Sequence, residues 1–161
     1  DHSLPLHSGY TFRTRAILRA QIEMGWDVRG ITGRRHSAEG PAVETVDGLT
    51  FHRTPGEIGR GRGVMREWRE IGALAQAAGD VADSWKPDLI HAHSPVIDAM
   101  AALRVARRRG IPLVYEIRAF WEDAAVGNGT GVEGGSRYWL TRQLETHAAR
   151  AADAVVVICE G

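Results

Sequence analysis

The fold is decided by residues 88–117, which read DLIHAHSPVIDAMAALRVARRRGIPLVYEI. Residues 88–93 predict a short strand, and apolar side chains then recur at helical spacing until Gly110 ends the helix. Residues 111–117 begin with an apolar run that is typical of a parallel strand covered on both faces. The stretch therefore predicts a strand-helix-strand unit.

The sequence on either side repeats this alternation of helices and strands. A helix follows Gly9, a strand occupies residues 26–32, and a long helix runs from Val64 to about Trp85. The other predicted elements are a hairpin around an Asp-Gly turn at 43–53, a loop at 54–63, a flexible loop at 125–136, a helix at 137–152 and a buried last strand at 153–158. Consecutive units of this kind predict an α/β fold with a Rossmann-like, doubly wound, mainly parallel sheet.

Composition restricts the classes of protein that the chain fits. Its 161 residues are 43% hydrophobic and 25% charged, which suits one globular domain spanning residues 1–161. The 20 basic and 20 acidic residues give a net charge of zero and are interspersed, so the charge pattern argues against nucleic acid as a partner. Cys159 is the only cysteine, and a lone thiol favours the reducing cytoplasm.

The sequence bears on membrane contact in two ways. No run approaches the roughly 18 consecutive apolar residues of a spanning helix, so we expect none. The helix predicted through residues 137–150 carries both apolar and basic side chains, which leaves contact with the inner face of a membrane open. A solvated face on a soluble helix is the commoner interpretation of that pattern.

Polar side chains follow the strands at the edge where doubly wound sheets bind ligands, beyond the carboxyl ends of the strands. His93 and Ser94 follow the fourth predicted strand, residues 118–123 follow the fifth, and Glu160 follows the last. Charged groups beside two neighbouring aromatic rings suit a polar organic ligand such as a sugar. The alternative is that Arg118 only forms an ion pair with a carboxylate at this edge.

His91 and His93 are two residues apart, so on a strand they point to the same face, which is the geometry that two metal ligands need. No Cys, Asp or third His lies at a matching spacing, so we predict no metal. We expect instead that one imidazole packs in the core with a satisfied hydrogen bond while the other faces the binding edge.

Ser8, Gly9 and Tyr10 stand at the start of the first predicted helix. A glycine lets the backbone approach a ligand closely, and free amides at a helix N-terminus attract anions. The segment lacks the Gly-x-Gly-x-x-Gly and Gly-Lys-Ser/Thr patterns, so dinucleotide or ATP binding by this loop alone is weakly supported.

Four motifs, taken in order, resemble the N-terminal domain of family-four glycosyltransferases. They are HSG at 7–9 leading to GWDV at 25–28, KPDLIHAH at 86–93, RGIPLVYEIR at 109–118 with FWED at 120–123, and ADAVVVICE at 152–160. The third motif is similar to a subgroup found beside exopolysaccharide and exosortase-linked gene clusters. The resemblance covers nearly the whole chain.

The resemblance implies a retaining GT-B glycosyltransferase, in which the N-terminal half binds a glycan or lipid-linked acceptor and a C-terminal domain holds the nucleotide-sugar donor. It implies no metal and no cofactor besides that donor substrate. His93, Glu116 and Arg118 are implied as the catalytic residues near the reacting sugar, and Gly9 is implied to approach the donor phosphates. The residues implied to bind substrate are Ser8, Gly9, Tyr10, Ser94, Trp121, Glu122 and Glu160.

The chain departs from the family pattern in three respects. Many members place a histidine where Arg118 stands, and because a guanidinium cannot shuttle protons, we expect Arg118 to orient or neutralise charge. The family's first strand should precede Asp1 and its donor domain should follow Gly161, so we expect an acceptor-side half that is inactive alone. Two other functions remain open: a GT-B nucleotide-sugar epimerase and a free-standing flavodoxin-like binding domain.

Overall fold

A computed structural model describes residues 3–36, 40–57, 63–129 and 131–158, and for Trp121 it describes the backbone alone. By their internal contacts the residues form two compact units, Asp1–Val81 and Ala82–Gly161, and each is described by itself. Part of the loop predicted at 54–63 falls outside the described residues, as do Cys159 and Glu160.

The first unit contains a small mixed sheet. Its elements are α1 (Gly9–Glu23), β1 (Arg29–Thr32), β2 (Val43–Val46), β3 (Leu49–Arg53) and most of α2 (Val64–Trp85). The strand order is β1-β3-β2, with β1 parallel and β2 antiparallel to β3. Asp47 and Gly48 connect β2 to β3 with φ values of 56° and 74°, the backbone that an Asp-Gly hairpin turn requires, so the predicted hairpin is confirmed.

The core of the first unit is small and is closed on one side by an arginine. Its buried apolar residues are Leu4, Leu18, Leu49 and Phe51. The Arg53 guanidinium lies 4.7 Å from the centre of the Phe51 ring, forms an ion pair with Glu44, and donates a 2.5 Å hydrogen bond to the carbonyl of Leu4. One side chain therefore connects the hairpin to the segment that precedes α1.

The second unit contains a parallel sheet with helices. Its elements are β4 (Ile90–His93), α3 (Val96–Arg109), β5 (Leu113–Ile117), α4 (Trp121–Gly127), α5 (Ser136–Ala151) and β6 (Ala154–Val157). The strand order is β4-β5-β6, and both pairings are parallel. The predicted α/β class with mainly parallel strand pairing is confirmed. The described strands pair in two three-stranded sheets.

An alanine-rich core joins α3 and α5 to the strands of the second unit. Ala99, Ala106 and Ala148 are buried in this core. Tyr115 on β5 lies at the centre of the core and is 0% exposed. Gly110 ends α3 in the left-handed region with φ of 67°, where glycine has no steric cost. The chain then turns directly into β5.

Two expectations for the second unit are corrected by the structure. The loop predicted at 125–136 begins later, because α4 continues to Gly127. The last strand was expected to be buried, but β6 is exposed at all four positions, and Val157 is 55% exposed. β6 lies at one end of the β4-β5-β6 order and pairs only with β5 among the described strands. The apolar composition of β6 is compatible with burial, but it does not indicate which element would pack against the strand.

Among the described residues, no helix combines the length and the apolar character that crossing a bilayer requires.

Candidate functional site

The candidate site lies at the carboxyl ends of β4 and β5. His93 is the last residue of β4, and the parallel register places it beside Glu116 on β5. Side chains two residues apart on a strand share a face, so His91 joins His93, and Arg118, which directly follows β5, joins Glu116. The three residues predicted to be catalytic therefore lie together on one face.

These side chains form a compact buried network around one carboxylate oxygen. Glu116 Oε2 lies 2.6 Å from His93 Nδ1 and accepts a 3.1 Å hydrogen bond from Arg118 Nη2. The Glu116 side chain is 1% exposed and that of Arg118 is 4% exposed, whereas 23% of the His93 side chain is open to solvent. Glu116 and Arg118 thus form a buried ion pair that supports a more accessible imidazole.

Two contacts of Nδ1 bear on the protonation of His93. His93 Nδ1 lies 2.6 Å from Glu116 Oε2 and 2.9 Å from Arg118 Nη2. An ionised carboxylate only accepts hydrogen bonds and a guanidinium only donates them, so the two contacts favour opposite tautomers. We assign the proton to Nδ1 because the contact with the carboxylate is the shorter one. Burial lowers the pKa of His93, and the neighbouring Arg118 lowers it as well, against a rise caused by Glu116. A neutral ring protonated on Nδ1 has its lone pair on Nε2. His93 is therefore arranged to accept a hydrogen bond through Nε2.

Ser94 holds the two strand ends together. Its side-chain Oγ accepts a 2.9 Å hydrogen bond from the backbone N–H of Arg118, and its own N–H donates to the carbonyl of Glu116 at 2.9 Å. Ser94 is 6% exposed, so both bonds are shielded from water. Ser94 therefore positions the backbone of Arg118, and its role as a substrate ligand stays a prediction.

His91 completes the polar face, and one expectation about it is wrong. The side chains of His91 and His93 are 22% and 23% exposed, so neither imidazole is packed in the core. Their ring centres are 4.5 Å apart, because period-two alternation puts both on the same face. His91, His93 and Glu116 present ligand atoms within 4.8 Å of one another, a spacing that could hold a metal ion. The Arg118 guanidinium donates to the same Glu116 Oε2 and places a positive charge beside this group.

The loop residues predicted to bind substrate belong to the first unit. Ser8 caps α1, because its Oγ accepts a 3.1 Å hydrogen bond from the N–H of Thr11. No heavy atom lies within 4 Å of a Cβ placed on Gly9, so packing does not require a glycine there. Tyr10 is 39% exposed. A glycine that packing does not require leaves the backbone open to close approach by a ligand.

Glu122 is grouped with residues that the sequence did not single out. It is 6% exposed near the start of α4, and its charge acts on Tyr115 and Glu145. The Tyr115 hydroxyl donates a 2.5 Å hydrogen bond to Glu145 Oε2 across 30 residues of sequence, so no local pattern could have indicated it. Tyr115 alternates with Glu116 along β5, so this acidic group lies on the opposite face of the strand.

The remaining predicted site residues cannot be placed in either group. Glu160 lies outside the described residues, and the Trp121 side chain is also outside the description. The Trp121 backbone begins α4, two residues before Asp123, whose carboxylate accepts a 2.8 Å hydrogen bond from the Tyr138 hydroxyl on α5.

Residues 8–161 match the family model described as Glycosyl transferase 4-like domain, which is nearly the full length. The chain belongs to the glycosyl transferase 4-like family. Membership supports the N-terminal domain of a GT-B glycosyltransferase. No curated protein matches the chain at a significant level.

Membership in the glycosyl transferase 4-like family assigns a reaction class to the chain. The function is of the glycosyltransferase type, so the substrates are in general terms a sugar donor and an acceptor. In parallel α/β sheets such ligands bind beyond the carboxyl ends of the strands, which is where His93, Glu116 and Arg118 lie.

Proposed function

We propose that residues 1–161 supply the acceptor-side domain of a retaining GT-B glycosyltransferase that moves a sugar from a nucleotide-sugar to a glycan or lipid-linked acceptor. The observation that carries the proposal is a partly exposed imidazole held on a buried Glu116–Arg118 ion pair at the carboxyl edge of a parallel sheet. Such an imidazole offers a fixed acceptor, Nε2, to a sugar hydroxyl.

Each member of the network has a distinct role in this proposal. His93 accepts a hydrogen bond from the acceptor hydroxyl and thereby orients its oxygen toward the donor sugar. Glu116 fixes the ring orientation through Nδ1, and Arg118 neutralises the carboxylate so that His93 stays uncharged. Because 4% of the Arg118 side chain is exposed, Arg118 acts through Glu116 and His93 rather than on substrate.

The donor is proposed to be held largely by a domain outside this chain. Gly9 and Tyr10 follow the Ser8 cap at the N-terminus of α1, and the positive end of the helix dipole there suits an approach to the donor phosphates. Trp121, Glu122 and Glu160 stay predictions as substrate ligands. The burial of Glu122 favours a positional role for its carboxylate.

The subgroup and the cellular location are proposed from the sequence alone. The motif at residues 109–123 is the support for a place in the subgroup linked to exosortase and exopolysaccharide clusters. The lone cysteine is the support for a cytoplasmic location, and the apolar and basic side chains of residues 137–150 are the support for contact with the inner face of a membrane. No metal and no cofactor besides the nucleotide-sugar are proposed.

The proposal is tested by calorimetric titration of an acceptor analogue and of a panel of nucleotide-sugars into this chain. Acceptor binding that His93→Ala weakens at least tenfold, with little or no binding of nucleotide-sugars, is the expected result, since a lost charge-neutral hydrogen bond and its packing are worth about 1.5 kcal/mol. Tight nucleotide-sugar binding by the chain alone would instead indicate a self-contained binding domain. His147→Ala, an exposed histidine on α5, is the matched control and should change nothing.

A further inference from the structure

Glu145 on α5 is a buried carboxyl group with no direct part in the proposed transfer. It is 4% exposed, and Ala148, three residues later on the same helix, is buried in the alanine-rich core. The Tyr115 hydroxyl donates a 2.5 Å hydrogen bond to Glu145 Oε2. Burying a carboxyl group costs free energy that an apolar side chain at this position would not cost. What the carboxyl group adds is directional hydrogen bonding to particular partners.

The second partner of Glu145 is the beginning of α3. The backbone N–H of Val96, the first residue of that helix, donates to the carboxyl group. The first N–H groups of a helix have no acceptor within the helix itself. Pro95 directly precedes Val96, and it provides no side-chain cap. Glu145 therefore supplies, from another helix, an acceptor that the local sequence of α3 does not provide, and a carboxylate there also complements the helix dipole.

The beginning of α3 is joined directly to the candidate site. Residues 94–96, which we call the β4–α3 turn, lead from the last residue of β4, His93, into the first residue of α3. Ser94 anchors one end of this turn on the end of β5, because its Oγ accepts from the Arg118 N–H and its own N–H donates to the Glu116 carbonyl. The contact with Glu145 anchors the other end. A displacement at the start of α3 would therefore reach His93 within three residues.

We propose that Glu145 is a positioning residue of the transferase, which fixes the β4–α3 turn against β5 and thereby the placement of His93. Its two partners, the Val96 N–H and the Tyr115 hydroxyl, belong to the two elements whose neighbouring residues carry the site. A buried network of directional bonds holds such groups in one arrangement. The inference rests on the proposed function only in naming the reaction that His93 serves.

The groups around Glu145 determine which substitutions separate its position from its charge. Tyr115 faces it from β5, the charge of Glu122 on α4 acts on it, and the charge of Asp98 on α3 acts on Tyr115. Because these neighbours are acidic or neutral, an amide would remove repulsion and keep a carbonyl oxygen as the acceptor. Glu145→Gln should therefore hold the turn, whereas Glu145→Ala removes the acceptor. Both variants lose the ionisable group, so a difference between them reports position.

The test is hydrogen exchange of backbone amides, followed by NMR in the unsubstituted chain and in the two variants. The reference is the amide of Ile90 at the other end of β4, whose N–H donates to the Pro112 carbonyl. In Glu145→Ala the Ser94 and Arg118 amides should exchange roughly tenfold faster relative to that reference, because the turn opens locally. In Glu145→Gln the ratio should equal that of the unsubstituted chain.

Two further variants keep the test specific. Val96→Pro removes the same hydrogen bond from the donor side, and proline is accepted at the first position of a helix, so it should give the same selective acceleration. Leu144→Ala is the matched control, because it shortens a neighbouring side chain on α5 that packs against the core. It should lower stability generally and leave the exchange ratio unchanged, since global unfolding exposes all these amides together.

Binding of the acceptor analogue provides the functional readout. Glu145→Ala should weaken it, by less than His93→Ala does, and Glu145→Gln should bind like the unsubstituted chain. An unchanged exchange ratio in Glu145→Ala or Val96→Pro, or an equal change in Leu144→Ala, would overturn the proposal. The exchange ratios require no ligand. Absence of acceptor binding by the unsubstituted chain would therefore count against the proposed function, while the exchange ratios still decide whether Glu145 positions the turn.

Discussion

Glu116 and Glu145 are both almost fully buried beside β5, yet their surroundings are opposite. Glu116 is 1% exposed and contacts a guanidinium and an imidazole on one face of the strand. Glu145 is 4% exposed on the other side, where its partner is the neutral Tyr115 hydroxyl and the charge of Glu122 acts on it. Burial favours the neutral form of both carboxyl groups, so the contrast comes from their neighbours: a guanidinium compensates Glu116, whereas Glu122 adds to the rise in pKa that burial causes at Glu145.

This difference in surroundings distinguishes the candidate site at Glu116 from a contact at Glu145 that stabilises the fold. A carboxylate compensated by Arg118 keeps its charge and can orient His93 for a ligand. A buried carboxyl group with an acidic neighbour and no cation beside it is more stable when it carries its proton, and it then contributes to packing. Burial and the charge of Glu122 together raise the pKa of Glu145 to about 7, although its hydrogen bond with Tyr115 opposes that rise.

Removing the positive charge that compensates Glu116 should have the largest effect on stability. Arg118→Met leaves a buried carboxylate without its cation, and we expect the free energy of unfolding to fall by about 3 to 5 kcal/mol. Urea denaturation near neutral pH measures the change. Arg118→Lys is the matched control, and it should lose less because a positive charge remains. A loss below about 1 kcal/mol in Arg118→Met would mean that Glu116 is not held as an anion.

The second largest effect is the pH dependence of stability that Glu145 causes. Its pKa is about 7 in the folded chain against an ordinary value of 4.5, so the folded state holds the proton more tightly. Glu145 therefore adds on the order of 2 to 3 kcal/mol to the free energy of unfolding below pH 4.5, and this stabilisation is lost as pH rises through about 7. Urea midpoints across that range should show the decline. Glu145→Gln should remove it, and an unchanged slope in that variant would contradict the assignment.

A smaller effect is expected from the tyrosine hydroxyl. Tyr115→Phe removes the donor to Glu145 Oε2 while keeping the ring, which should cost about 1 to 2 kcal/mol in unfolding free energy. Because that hydrogen bond lowers the pKa of Glu145, its loss should move the stability decline to higher pH. Thermal unfolding at two pH values measures both changes. Movement of the decline to lower pH would show that the hydroxyl does not stabilise the carboxylate.

The smallest effect is a titration shift with little change in stability. Burial lowers the pKa of His93 below its ordinary 6.5 and the Glu116 carboxylate raises it, so Glu116→Gln should lower it further. Because the folded pKa is depressed, the related stability is present above pH 6.5 and declines as pH falls below it. Ring resonances followed by NMR report the shift, and those of the exposed His147 should not differ between the two proteins. A higher pKa of His93 in the Glu116→Gln variant would refute the contact between Nδ1 and the carboxylate.

Much of the fold could be predicted from local pattern. The helix after Gly9, the long helix from Val64 to Trp85 and the hairpin at Asp47-Gly48 all appear as expected, because helical spacing and turn residues act over a few positions. The grouping of His93 with Glu116 and Arg118 was also predictable from the parallel order of their strands. The exposure of β6 was not, since it depends on which elements cover a strand.

By itself the sequence determined the order of helices and strands, the parallel neighbours β4 and β5, and the residues at their carboxyl ends, because these follow from periodicity and turn chemistry. Only the tertiary structure decided that Arg118 is buried against Glu116, that Ser94 binds the Arg118 backbone, and that Glu122 acts on Tyr115 and Glu145. Those contacts join residues far apart in the chain, so their charges and burial depend on packing that no local pattern encodes.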